Sequence, residues 1–355
     1  MVQIPHIPKH RLQWVDSLRG IASLLVVILH LWLSVFKNYH VSQTASINVL
    51  TPIIFGYLDF GKIGVVAFFI ISGYVIPYSL KGKSLPQFFT TRFFRLYPAY
   101  WFSILALIII AGMPPLKNLL INITMLQRFV GVPDLIGAFW TLQIELIFYV
   151  VCAALHYFKL LENDKVVIKC VYSLIIMALL LSVARYVTNI KLPVALLLGL
   201  SVMFIGLAWR RHSLDKSAII NKKVITTILI VFIVLLLPIT ILAYSRNYGY
   251  DETWYRYFLS YNTAIIIFFV FAKFKYFNKV LLFFGGISYS LYLLHPVFGL
   301  DLSYKIAKTL SADSISVYII IFFTLSILSA TLCFYLIEKP FVAIGRKIIK
   351  TYFND

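Results

Sequence analysis

The stretch Leu18-Arg19-Gly20-Ile21-Ala22-Ser23-Leu24-Leu25-Val26-Val27-Ile28-Leu29-His30-Leu31-Trp32-Leu33 is an apolar run whose only ionisable residues are Arg19 and His30. At about 100° per residue, the eleven steps between them make three helical turns plus roughly 20°. Both polar side chains therefore leave one stripe of one helix, about 16 Å apart along its axis. Ionisable groups in a membrane helix are costly, and they mark a protein interior or a wet path. A cation near one membrane face and an imidazole deep in the other half point to chemistry that crosses the bilayer.

The composition sets the class. The chain has 355 residues, 61% hydrophobic and 13% charged, with mean hydropathy +0.91. Soluble domains run nearer half apolar and a quarter charged, so the sequence reads as an all-α, polytopic integral membrane protein. The aromatics suit rings seated at headgroup level. Cys152, Cys170 and Cys333 lie in or beside apolar runs, and three such cysteines read as free core residues rather than a disulfide framework. The first apolar run carries Arg19 and lacks a small-residue cleavage site, so it is expected to be retained.

Ten spans are predicted, at about 14–36, 63–80, 95–112, 138–158, 166–184, 193–210, 224–244, 256–273, 280–300 and 315–337, each near the ~20 residues that cross the hydrocarbon core. The interrupted run Leu116–Val130 is expected to be an interfacial or re-entrant helix. The net charge of +19 reflects basic residues in loops between spans, which does not imply nucleic acid. With a cytoplasmic N-terminus, 22 of the 32 Lys and Arg, from Lys9 and Arg11 to Lys350, fall on the inner side. That bias predicts both termini in the cytoplasm. One transmembrane domain over residues 1–355, with no additional soluble domain and no internal repeat, is the expected organisation.

His30 is a candidate general base; the plainer reading is a hydrogen-bonded core histidine. Arg92 and Arg95 sit at i and i+3 on one helix face, where with Arg19 they suit bidentate phosphate binding; ordinary positive-inside anchoring is the alternative. Trp140-Thr141-Leu142-Gln143-Ile144-Glu145 opens the fourth span. Glu145 reads as the only acidic residue well inside a span. A carboxylate at the depth of His30 is expected to orient its imidazole, against a plain role in helix packing. Ser288, Tyr292 and His295 fall on one side of the ninth span. With Trp140 and Gln143 they are candidate substrate-binding residues. Gly285-Gly286 and Ser72-Gly73 read as close-packing sites. Glu338-Lys339-Pro340 reads as a helix end. There is no P-loop, no Gly-x-Gly-x-x-Gly, no Gly-x-Ser-x-Gly elbow and no metal-spaced His/Cys cluster, and no metal is expected.

Taken in order, Asp16-Ser-Leu-Arg19-Gly20 with His30, Gly64 to Ser72-Gly73, Arg92-x-x-Arg95 with Pro98, Trp140 with Glu145 and Phe148-Tyr149, Ser288-Tyr289 with Tyr292 and His295, and Glu338-Lys339-Pro340 resemble the membrane-bound acyltransferase-3 family across nearly the whole chain. The resemblance implies an inner-membrane enzyme that takes an acyl group, usually acetyl, from cytoplasmic acyl-CoA to a hydroxyl of an extracytoplasmic or lipid-linked sugar, such as lipopolysaccharide O-antigen or exopolysaccharide. By position, His30 matches the family's essential histidine, Arg19 its paired arginine, and Arg92 and Arg95 its arginine pair. Thr141 stands where many members have Ser, and Leu146 where many have a second Glu.

Acetyl-CoA is thus the expected donor, a carbohydrate the expected acceptor, and membrane lipids the surroundings. His30 either deprotonates the acceptor or takes the acyl group itself; the sequence separates neither route. The loops 37–62, 113–137 and 245–255, with Tyr244, Tyr248, Tyr250, Trp254 and Tyr255, are candidates for sugar stacking or for interfacial anchoring. The rival readings are an acyltransferase of peptidoglycan or of a small molecule, a succinyl transferase, a glycan transporter or flippase with a polar stripe as its path, and a structural subunit of a polysaccharide assembly complex.

Overall fold

The computed structural model describes residues 12–39, 49–246, 253–310 and 314–353, and strands are absent among them. Among the described residues, ten helical segments are long and apolar enough to cross a membrane. They match the ten predicted spans one for one. The α-helices are α1 (Gln13–Asn38), α2 (Phe60–Val75), α3 (Leu85–Ala111), α4 (Leu116–Ile123), α5 (Trp140–Tyr157), α6 (Asp164–Thr188), α7 (Val194–Ser213), α8 (Lys222–Tyr244), α9 (Trp254–Phe274), α10 (Lys279–Leu294), α11 (Ser303–Thr309), α12 (Ile315–Cys333) and α13 (Lys339–Tyr352). Lys9 and Arg11, used in the charge count, lie outside the described residues.

Three boundaries differ from expectation, each for a local reason. The third span begins ten residues early, because Ser84 and Gln87 form a capping box and Pro86 sits in the first turn, where its missing N–H costs nothing. Arg92 and Arg95 therefore lie inside α3 rather than at its mouth. The second span is preceded by a wide π turn, Pro52–Gly56. The tenth does not stop at Glu338-Lys339-Pro340. A π turn over Phe334–Glu338 leads directly into α13, with Pro340 in its first turn. The run from Leu116 is short, as expected: α4 is eight residues, followed by a 3-10 turn at Gln127–Val130.

The centre of the bundle is α1, packed on α2 and α10. Glycines set those distances. A Cβ on Gly20 would collide with the carbonyl oxygen of Leu281, and one on Gly285 with that of Asp16, so the α1 and α10 backbones touch. Gly73 and Gly206 do the same for α2 and α7, meeting the carbonyls of Met203 and Ile70. Small residues at crossings are how helices gain dispersion contact where lipid removes the hydrophobic drive between them. The outer helices α6 and α8 leave Leu180, Val187, Ile230 and Val234 exposed, as lipid-facing surfaces do.

A buried ionic cluster fixes the start of α2 beside Leu29 and His30. Asp59 caps α2 through the Lys62 amide at 2.9 Å. Its other oxygen takes Lys62 Nζ at 2.6 Å and Arg256 at 3.0 Å. Asp59 is 2% and Arg256 5% exposed, and the Arg256 guanidinium stacks on Phe55. Lys62 also lies over Tyr257, which stacks flat on Tyr244 at 3.6 Å, and Arg185 covers the far face.

Gly285→Ala is expected to cost about 1–3 kcal/mol through overpacking at the α1–α10 crossing. Gly286→Ala, which meets nothing within 4 Å, should cost under about 0.5 kcal/mol; thermal unfolding of the detergent-purified variants compares the two. Asp59→Ala removes the carboxylate that faces the buried Arg256 guanidinium and should lose about 3 kcal/mol in the same assay.

Candidate functional site

His30 projects from α1 three turns beyond Arg19, and its ring meets His295, the residue that follows the last turn of α10. His295 Nε2 lies 2.9 Å from His30 Nδ1, with ring centroids 4.9 Å apart. His295 Nδ1 lies 2.9 Å from the carbonyl oxygen of Leu291, one turn back on its own helix. His295 is fully buried and His30 half-buried. A π turn over His295–Leu302 starts at this residue, where Pro296 supplies no amide hydrogen.

Glu145 does not reach His30. It accepts a hydrogen bond from Tyr149, one turn further along α5. The reason is axial placement. Thr141 of α5 meets Tyr292 of α10 at 2.8 Å. Glu145 is one turn beyond Thr141, away from His295, and Tyr292 is almost a turn before His295. The two offsets add to about 10 Å.

Glu145 instead joins Arg19 and Arg95 around a partly open cavity of about 60 Å³, room for roughly four waters. Thr141, Ser288 and Tyr292 line it too, with Phe68 and Phe69 on the apolar side. Its lining spans five helices, and Arg19 Nε is buried there without a hydrogen-bond partner among the described residues. His30 is not in the lining; Tyr292, whose ring centroid is 6.3 Å from that of His295, stands between cavity and imidazole pair. Tyr292 is held in place by Thr141 and by the carbonyl of Ala138 at 3.0 Å. The hydroxyl that Thr141 shares with serine is the group used.

Arg92 is not in the cavity lining. It bonds to Ser79 and stacks on Phe88 and Tyr149, each ring centroid 5.2 Å from the guanidinium. Since Tyr149 holds Glu145, Arg92 bears on the cavity at one remove. Glu338 is a residue the sequence reading missed. It is buried, accepts from Ser290 at 2.9 Å and lies within electrostatic reach of Arg95 and Arg19.

Other candidates hold the framework. Gln143 accepts from the Arg128 amide at 3.1 Å and donates to Asp134 at 3.2 Å. It thereby pins the segment after α4 and stays out of the cavity lining. Trp140 begins α5, half-buried against the core, and also stays out. Ser288 donates to the Gly285 carbonyl at 2.9 Å and does line the cavity. Tyr244, expected among sugar-stacking aromatics, is 2% exposed and stacked on Tyr257. Trp254 and Tyr255 pack edge to face, and Tyr248 and Tyr250 lie outside the described residues.

Comparison with known proteins returns no match among curated sequences and none among solved structures. A family model described as an acyltransferase domain does match, over residues 12–338. The matched region runs from before Arg19 to Glu338 and takes in both histidines and every helix around the cavity. On that extent the chain belongs to the acyltransferase-3 family and is a membrane acyltransferase.

Proposed function

We propose that this chain moves an acyl group, acetyl above all, from acyl-CoA on the cytoplasmic side of a bacterial inner membrane to a hydroxyl of an extracytoplasmic or lipid-linked carbohydrate. The observation that carries this reading is the cavity that links Arg19 and Arg95 to Tyr292, next to the His30–His295 pair. Arg19, Arg92 and Arg95 lie toward one end of the bundle, and the positive-inside bias supports placing that end in the cytoplasm.

The donor's chemistry suits the residues present. Phosphates ask for guanidiniums, and Arg19 brings a buried N–H with no partner among the described residues. The 16 Å rise from Arg19 to His30 is about the length of a pantetheine arm. His30 is the base. The acceptor hydroxyl gives it a proton as the oxygen forms a C–O bond to the thioester carbonyl. The C–S bond breaks, and the proton passes on to the leaving thiolate. Glu145 and Glu338 offset the two arginines when no anion is present. Arg92 stiffens Tyr149 and through it Glu145.

His30→Ala is expected to insert and accumulate normally while the acyl content of envelope glycans, read by mass spectrometry of cells with and without the variant, falls to background. Normal acylation from that variant would remove His30 from the chemistry. Arg95→Ala should weaken acetyl-CoA binding about tenfold, as the loss of one charged hydrogen bond implies. An unaltered affinity in calorimetry refutes the phosphate role, and a chain that leaves the thioester intact in the presence of envelope extract is a transporter.

A further inference from the structure

The two histidines carry more information than proximity. The Leu291 carbonyl oxygen can only accept, so the nitrogen 2.9 Å away, His295 Nδ1, bears a proton and donates it. A neutral imidazole has one N–H. His295 Nε2 therefore presents a lone pair, and it faces His30 Nδ1 at 2.9 Å. That hydrogen bond needs a donor, which must be Nδ1–H of His30. The remaining nitrogen of His30, Nε2, is left with its lone pair.

We propose that His295 is a positioning residue that holds His30 as the Nδ1–H tautomer and so reserves Nε2 for the proton of the acceptor hydroxyl. This inference rests on the reading of His30 as the base. It assigns His295, first considered as a substrate contact, a role through His30 instead. The device does what a carboxylate does behind other catalytic histidines, at lower cost in this setting. A carboxylate behind His30 would be a permanent buried charge. Neutral His295 carries none, yet once His30 has taken a proton its Nδ1–H bond to His295 becomes charge-assisted and stronger. The close α1–α10 crossing and the complete burial of His295 hold the second ring still.

The test uses the full chain in lipid nanodiscs with 15N-labelled histidine, and needs no acceptor. Seven histidines contribute, and His30→Gln identifies the signal of interest by its loss. In the wild type, His30 should show a protonated Nδ1 and a bare Nε2. His295→Leu should weaken that preference, leaving the Val26 carbonyl as the remaining partner of the His30 ring. His295→Gln should keep it, since a side-chain amide oxygen can accept from Nδ1–H. In cells, His295→Leu should cut glycan acylation about 100-fold or more with acetyl-CoA affinity unaltered, and His295→Gln should stay within about tenfold of wild type. A wild-type His30 protonated on Nε2 overturns the proposal, and it does so even if His295→Leu fails to fold. So does a His30 signal indifferent to His295→Leu. If the tautomer behaves as stated while His30→Ala still acylates, the positioning holds and the base assignment alone falls.

Discussion

Backbone contact between α1 and α10 is the constraint from which the site follows. Gly20 and Gly285 leave no side chain at the crossing, so Leu281 and Asp16 carbonyls lie where Cβ atoms would otherwise be. From that closest point the two helices run on together. Three turns later the same pair of helices delivers His30 and His295 to hydrogen-bonding distance. Between those levels, Ser288 and Tyr292 face the cavity that Arg19 also lines. Widening the crossing by a methyl group would loosen all three features together, since packed interiors transmit displacement rather than absorb it.

The distribution of charge along this axis is uneven in a useful way. Arg19 and Arg95 meet carboxylates, Glu145 and Glu338, toward one end of this axis. The far end holds two imidazoles and no formal charge when both rings are neutral. Beside them lies the Asp59 cluster with its own paired ions. An anion entering at the arginines competes with glutamates already there, while a proton entering at His30 meets a neutral partner.

Helix number and the Arg19–His30 stripe were legible because both depend on period and polarity within single segments. Axial offset between helices was not. Glu145 reads as level with His30 when spans are drawn as equal rods, but Thr141 takes the place beside Tyr292 and carries Glu145 down toward the arginines. Gln143 looks like an isolated polar residue in a span, since its partners Arg128 and Asp134 belong to a loop whose folding no periodicity describes. Arg256 and Lys62 read as loop cations, because the aspartate that pairs them is brought from 197 residues away in the case of Arg256. His295 reads as a polar residue at helical spacing, without its partner, for the same reason.

Glu338 shows a different failure of reading, and the wide turn that contains it has a consequence of its own. A π turn is an α-helix with one residue too many, and one extra residue advances the helical phase by about 100°. Before Phe334 the helix faces α10; past Glu338 its Gly345 sits on Phe94 of α3. The surplus residue lets one unbroken rod change neighbours without exposing a peptide group to hydrocarbon, which a loop at that depth would do. It works as a gear: removing a single residue from 334–338 would turn the whole terminal segment away from α3 while leaving every residue above it in register.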